Sequence, residues 1–150
     1  GRKCGDIAVY AGLAGGAEIL LVPEVEIDLE KISKKITQNK IKGKKSDIII
    51  LSEGVCDAEL LKDQLKKSTG ISMRTVKLGH IQRGGTPSMV DRILGARFAA
   101  KAVELLKEGK GCRAVGIKND NIFDMDIEEA LAAPRELNKN LYRLVQSLSN

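Results

Sequence analysis

Asp47-Ile48-Ile49-Ile50-Leu51-Ser52 is the stretch on which the fold turns. Its continuous Ile-rich run, without polar alternation, is expected of a strand buried on both faces, as in a parallel sheet. Upstream, Asp28 is placed to cap a helix running to Ile41, with Leu29, Ile32 and Ile36 as one apolar stripe and Gly43 as its stop. Before that, Glu18 to Pro23 reads as a short strand ended by the proline. Residues 6–16 read as a helix with Asp6 as N-cap and Val9 and Leu13 four apart, stopped at Gly15-Gly16. Downstream, Asp57 opens a helix carrying Leu61 and Leu65 that Gly70 ends, and Ser72 to Leu78 reads as the next strand. A turn-rich stretch from Gly79 to Pro87 leads into a long helix to about Leu106, with Thr86 as N-cap and Pro87 at the first helical position. A strand at Arg113 to Ile117, a helix at Asp126 to Ala132 closed by Pro134, and an amphipathic helix marked by Leu137, Leu141, Leu144, Val145 and Leu148 complete the chain. Alternating strands and helices predict an α/β fold, a three-layer αβα sandwich with a mostly parallel sheet. No repeat, low-complexity tract or linker interrupts it.

The 150 residues are 43% hydrophobic and 30% charged, ordinary for a globular domain and unlike a disordered one. No apolar run reaches the 18 residues a membrane-spanning helix needs, so no membrane partner is expected. The opening Gly1-Arg2-Lys3-Cys4-Gly5-Asp6 has neither an initiating Met nor a signal peptide's apolar stretch and reads as a cut into a longer chain. Cys4, Cys56 and Cys112 are far apart and His80 is the sole histidine, which disfavours a disulfide framework or a zinc site and suits a reducing, cytoplasmic setting. The net charge of +5 points to an anionic partner. Only four aromatics occur (Tyr10, Phe98, Phe123, Tyr142), none in a basic cluster, so a base-stacking nucleic-acid binder is disfavoured.

In open parallel sheets ligands gather beyond the carboxyl ends of strands. That rule selects Glu53, just after the Asp47–Ser52 run, and the stretch His80 to Gly85, just after the expected Ser72–Leu78 strand. A carboxylate there can accept from hydroxyls. A histidine and an arginine three residues apart can donate to a phosphate, the guanidinium as a bidentate fork. Gly84-Gly85 before a helix N-terminus lets an anion approach the backbone. The set suggests a polyhydroxylated, phosphorylated small molecule. Plainer readings stand beside each: a tight turn for Gly84-Gly85, a satisfied core histidine for His80, a cap for Glu53. Arg74, whose neighbours Met73 and Thr75 point the other way, reads as exposed surface. Lys31, Lys34, Lys35, Lys40, Lys42, Lys44 and Lys45 read as a solvated face or an anion site.

Several segments together resemble the bacterial 6-phosphofructokinases: 1–6, Gly12 to Glu18, Pro23 to Glu26, Gly43-Lys44-Lys45, Ser52-Glu53-Gly54, and above all Leu78-Gly79-His80-Ile81-Gln82-Arg83-Gly84-Gly85-Thr86-Pro87 with Asp91-Arg92. The similarity continues through Gly109-Lys110-Gly111 and Val115-Gly116-Ile117 and spans nearly the whole chain. It implies the C-terminal half of such an enzyme: the fructose-6-phosphate-binding domain plus segments of the nucleotide-binding domain, a phosphofructokinase-like sandwich incomplete in this stretch. The family transfers the γ-phosphoryl of ATP to the 1-hydroxyl of fructose 6-phosphate with Mg²⁺, as a cytoplasmic homotetramer.

Carried over by matching motif, Gly1 and Arg2 would belong to the substrate site, Arg2 also lying near the transferring phosphate. Glu53 would hold sugar hydroxyls, and His80, Ile81, Gln82 and Arg83 would form the 6-phosphate loop. Arg74 would reach a neighbouring subunit's substrate. Gly16, Ala17 and Glu18 match the loop of an effector site for ADP or phosphoenolpyruvate, Glu18 reaching its magnesium, and Lys42, Lys44, Lys45 and Ser46 match its basic wall. Ser46 departs from the family's usual histidine. The family's ATP loop and proton-accepting aspartate lie upstream of these motifs, so the 150 residues alone are expected to be inactive. Rival readings are a pyrophosphate-dependent relative, a stand-alone sugar-phosphate sensor and a basic nucleic-acid-binding domain.

Overall fold

The computed structural model describes residues 1–134 and 136–149. Two compact units emerge, one from residues 1–76 with the C-terminal segment from 135, the other from residues 77–134. No shift in composition marks the two crossings between them.

The first unit holds α1 (Asp6–Gly15), β1 (Ile19–Leu21), α2 (Leu29–Ile41), β2 (Ile49–Leu51), α3 (Ala58–Thr69) and, after the second unit, α6 (Lys139–Leu148). β1 and β2 pair in parallel, with Ile19 opposite Ile49 and Leu21 opposite Leu51, and α2 makes the crossover. Side chains alternate across a strand, so the pair feeds two cores. Leu20, Val22 and Ile50 pack with Ala8 and Val9 of α1 and with Leu137 and Val145 on the α6 side. Ile19, Leu21, Ile49 and Leu51 pack with Ile32 and Ile36 of α2 and Leu61 and Leu65 of α3. This is the expected three-layer αβα arrangement. Its strands are shorter than the apolar runs predict, and β2 is half-buried rather than buried on both faces, whereas β1, its partner in the two-stranded sheet, is buried throughout.

Local chemistry sets the helix limits. Asp28 accepts from the Lys31 N–H at 2.9 Å and Asp57 from the Glu59 N–H at 2.8 Å, each satisfying an amide that the helix itself leaves unpaired. α1 and α3 stop at Gly16 and Gly70, whose φ of 67° and 69° lie in the left-handed region. The expected Asp6 cap moves by one residue: Gly5 is the N-cap and Asp6 the first helical residue.

The expected strand Ser72–Leu78 does not form. The stretch keeps period-two burial: Ile71, Met73 and Thr75 are half-buried, while Ser72, Arg74 and Val76 are exposed. Ile71 and Met73 pack on the α2/α3 core and Thr75 donates to Glu59. Packing thus holds one side in, but the stretch pairs with neither strand of this unit. The pattern of a strand is present without the ladder that would define one.

The second unit contains a 3-10 turn (Gly79–Arg83), α4 (Met89–Lys107), β3 (Arg113–Lys118), β4 (Asn121–Asp126) and α5 (Ile127–Ala132). α4 starts two residues later than expected. Ser88, not Thr86, is the cap: its hydroxyl accepts from the Asp91 N–H, and Asp91 accepts in return from the Ser88 N–H at 2.8 Å. β4 was not foreseen. It pairs antiparallel with β3 from Arg113↔Asp126 to Lys118↔Asn121, around the two-residue turn Asn119-Asp120. Both turn residues have positive φ, 50° and 61°, as a tight hairpin of this twist requires. Asn-Asp between two half-apolar runs was the available signal.

Candidate functional site

The first group assembles at the end of β2. Ser52, next in the chain, is 2% exposed, and its hydroxyl has no hydrogen-bond partner among the described residues. Glu53 follows and turns outward, its side chain 64% exposed. Arg2 stands beside it with Nε 3.4 Å from Oε1. Gly54 makes this approach feasible: a Cβ there would fall 1.8 Å from the Arg2 carbonyl oxygen, and the Gly54 N–H donates to the Gly1 carbonyl at 3.3 Å. The Ser-Glu-Gly triplet therefore carries a steric requirement, since only glycine admits the N-terminal strand of chain. An exposed pair of this kind contributes little to stability, which leaves both side chains free for a ligand. Glu53 thus stands exposed just beyond the carboxyl end of β2.

The same argument fails for His80 to Gly85, because no strand precedes them. Instead Gly79–Arg83 winds into a 3-10 turn in the second unit. Three residues complete one turn of a 3-10 helix, so side chains three apart eclipse one another. His80 and Arg83 thereby lie on one face by local geometry alone, both exposed, with Ile81 (77% exposed) and Gln82 between them. The anion-at-helix-terminus expectation is corrected: α4 begins five residues beyond Gly84, and its first turn already carries the Asp91 carboxylate. No atom lies within 4 Å of where a side chain at Gly84 or Gly85 would begin, so their surroundings are open.

Arg2, Glu53 and Arg74 belong to the first unit and His80 to Arg83 to the second. Arg74 is exposed, as expected.

The second group is more tightly built. Glu18, just before β1, is 8% exposed. Its Oε1 accepts from Lys44 Nζ and its Oε2 from the Ile48 N–H, each at 2.5 Å. Burial by itself pushes the carboxyl up, but these two donors outweigh it and hold Glu18 below the usual carboxylate range. Lys44 Nζ also lies 3.9 Å from Asp47 Oδ1, and Asp47 in turn accepts from Asn39 Nδ2 at 2.7 Å. Lys35 donates to Ser149 Oγ at 2.6 Å, and burial lowers its ammonium, countered in part by the Glu18 carboxylate. Gly16, Ala17 and Glu18 line a small cavity of about 50 Å³ with Leu148 and Ser149. Lys42, Lys45 and Ser46 are exposed on the turn between α2 and β2. The sequence motifs find Glu18 and Lys44 but miss Asn39, Asp47 and the cross-chain role of Lys35. Asn39 is buried within a basic helix, a contrast of character that was its only sequence signal.

A depressed carboxyl adds stability that is present above its unfolded value and fades as pH falls through the lower folded one. The unfolding midpoint should therefore drop on acidification below about pH 4.5, and less steeply in Glu18→Gln. Thermal melts of both proteins from pH 6 to pH 3 check this; parallel curves refute it.

Among the described residues no helix is long and apolar enough to cross a membrane, and no group of three His, Cys, Asp or Glu side chains is arranged to hold a metal.

The phosphofructokinase family model matches residues 1–106. ATP-dependent 6-phosphofructokinase of Clostridium botulinum (strain Hall) is 52% identical over 99% of this chain, and that of Clostridium acetobutylicum is 50% identical over the same share. The chain spans 47% of the length of each. Among solved structures, Pichia pastoris phosphofructokinase in the T-state superposes with a TM-score of 0.73 at 26% identity, over 99% of this chain and 17% of that one. The pyrophosphate-dependent phosphofructokinase of Marinobacter aquaeolei gives 0.75 at 22% identity, over 99% of this chain and 45% of its own, a likeness of fold alone. With the family model matching residues 1–106, more than half of its length, the chain belongs to the phosphofructokinase family.

Proposed function

We propose that this chain is the sugar-phosphate half of an ATP-dependent 6-phosphofructokinase, which carries the γ-phosphoryl of ATP to the 1-hydroxyl of fructose 6-phosphate. The observation that carries the reading is 52% identity, over 99% of the chain, to a relative of that name, with the candidate residues in accessible positions. The eclipsed His80 and Arg83 present two donors on one face, suited to the 6-phosphate, with Ile81 and Gln82 completing the loop. Glu53 accepts from sugar hydroxyls. Arg2, swung off Glu53 when substrate enters, supplies positive charge near the transferring group, and Gly1 lends its backbone beside it. Arg74, exposed on its extended stretch, serves a neighbouring subunit of a homotetramer. The division into two units suits a chain contributing to a sugar-phosphate domain and to part of a nucleotide-binding one.

The metal and nucleotide fit less directly. Among the described residues no group of three His, Cys, Asp or Glu side chains is gathered; on this reading the Mg²⁺ and ATP of the reaction are held mostly by other parts of the enzyme. Glu18 has both carboxylate oxygens occupied, so an effector-bound magnesium there would need oxygens from the effector's own phosphates and would displace Lys44. On that reading Gly16, Ala17, Glu18, Lys42, Lys44, Lys45 and Ser46 receive ADP or phosphoenolpyruvate, and the enzyme works in the cytoplasm.

The test is a coupled assay of the full-length protein with fructose 6-phosphate and either ATP or pyrophosphate. ATP-supported turnover is expected. Turnover with pyrophosphate alone makes the donor assignment wrong, and none with either donor leaves a sugar-phosphate sensor.

A further inference from the structure

The Glu18–Lys44 cluster holds a carboxylate that an anion-binding site does not need. Asp47 stands 3.9 Å from the Lys44 ammonium, close enough to offset its charge but beyond direct hydrogen-bond distance. Its Oδ1 is the acceptor for Asn39 Nδ2 at 2.7 Å, and Asn39 is itself 7% exposed on α2. The Lys44 N–H also donates to the Asn39 carbonyl at 3.0 Å, so the same residue fixes the backbone that carries the lysine. Lys44 thus lies between two carboxylates, in contact with Glu18 at 2.5 Å and at a distance from Asp47. Lys35 feels the fields of all three.

We propose that Asp47, clamped by Asn39, sets the affinity of the Lys44 site for phosphate-bearing ligands, weakening it by holding a negative charge beside the lysine that receives the phosphate. The inference rests on the reading of Glu18 and Lys44 as an effector site and adds to it two residues that no motif singles out. A ligand phosphate must approach Lys44 against the Asp47 carboxylate. Asn39 cannot neutralise that charge, but its hydrogen bond denies Asp47 the rotamers that would carry the charge into solvent. The site is therefore tuned for a ligand present at high concentration, with affinity held down by design of the surrounding charges.

Asp47→Asn is the informative change, because the amide keeps an acceptor oxygen for Asn39 and loses only the charge. Titrated with ADP and magnesium by calorimetry, the full-length Asp47→Asn protein should bind about three- to tenfold more tightly than wild type, as expected for removing one partly screened like charge. The gain should shrink as salt rises from about 50 to 500 mM. Asn39→Ala should tighten binding less, and add nothing in the Asp47→Asn background, since its effect runs through that carboxylate. Structural damage would weaken binding, so the sign separates tuning from mere support. Unchanged or weaker binding in Asp47→Asn, with Glu18→Gln still shifting ADP affinity, overturns the inference and spares the site. If neither variant shifts ADP affinity, the effector site is wrongly placed and the inference falls with it.

Discussion

Arg83→Ala in the full-length enzyme should raise the KM for fructose 6-phosphate roughly thirty- to hundredfold while kcat falls much less. The guanidinium is exposed, so on the proposed reading its loss removes a ligand contact and not a structural one. A charge-assisted bond to phosphate is worth about 2–3 kcal/mol, and truncating one partner leaves the phosphate charge under-compensated. Arg83→Lys should recover part of the loss, because an ammonium supplies charge without the bidentate fork. The variant should melt within about 0.5 kcal/mol of wild type, as surface changes do. Steady-state kinetics at varied fructose 6-phosphate decide it: an unchanged KM excludes Arg83 from the phosphate loop.

The second large effect concerns the scaffold. Leu65, on the inner face of α3, is 1% exposed and packs with Ile19, Leu21, Ile32, Ile36 and Leu61. Leu65→Ala should cost about 3 kcal/mol, from the lost transfer of the side chain and the cavity left among neighbours that include the stiff, β-branched Ile19, Ile32 and Ile36. Leu65→Met, which conserves volume, should cost less than about 1.5 kcal/mol. Urea midpoints of the two variants test this. If Leu65→Ala shifts the midpoint no more than Leu65→Met, the α2/α3 core is looser than its burial indicates. Because Glu53 lies two residues beyond β2, and β2 packs on this core, Leu65→Ala should also loosen the Arg2–Glu53 pair.

Much of this molecule was legible in its residues. Asp28, Asp57, Gly16 and Gly70 announce helix limits because capping and left-handed φ are local matters, settled by a side chain and its nearest amides. His80 and Arg83 are aligned by a 3-10 turn, where the sequence suggests a strand end, because the winding of so short a turn is not marked by any periodicity. Ser72–Leu78 misled because alternation records which side is covered and says nothing about whether a ladder forms alongside. Asn119-Asp120 was passed over because a two-residue turn reveals itself only when both flanking runs are read as strands.

By itself, then, the sequence determined the α/β class and, as properties of neighbours within a few positions, the caps at Asp28 and Asp57 and the stops at Gly16 and Gly70. Tertiary structure alone decided that β2 is half-buried, that Gly54 must yield to the Arg2 backbone, and that Asn39, Asp47, Lys44 and Glu18 form one chain of contacts. Glu18 and Lys44 are 26 residues apart, and their meeting depends on how β1, α2 and β2 pack. Charge interactions fall off with distance in space and carry no periodicity along the chain, so no local pattern could reveal them.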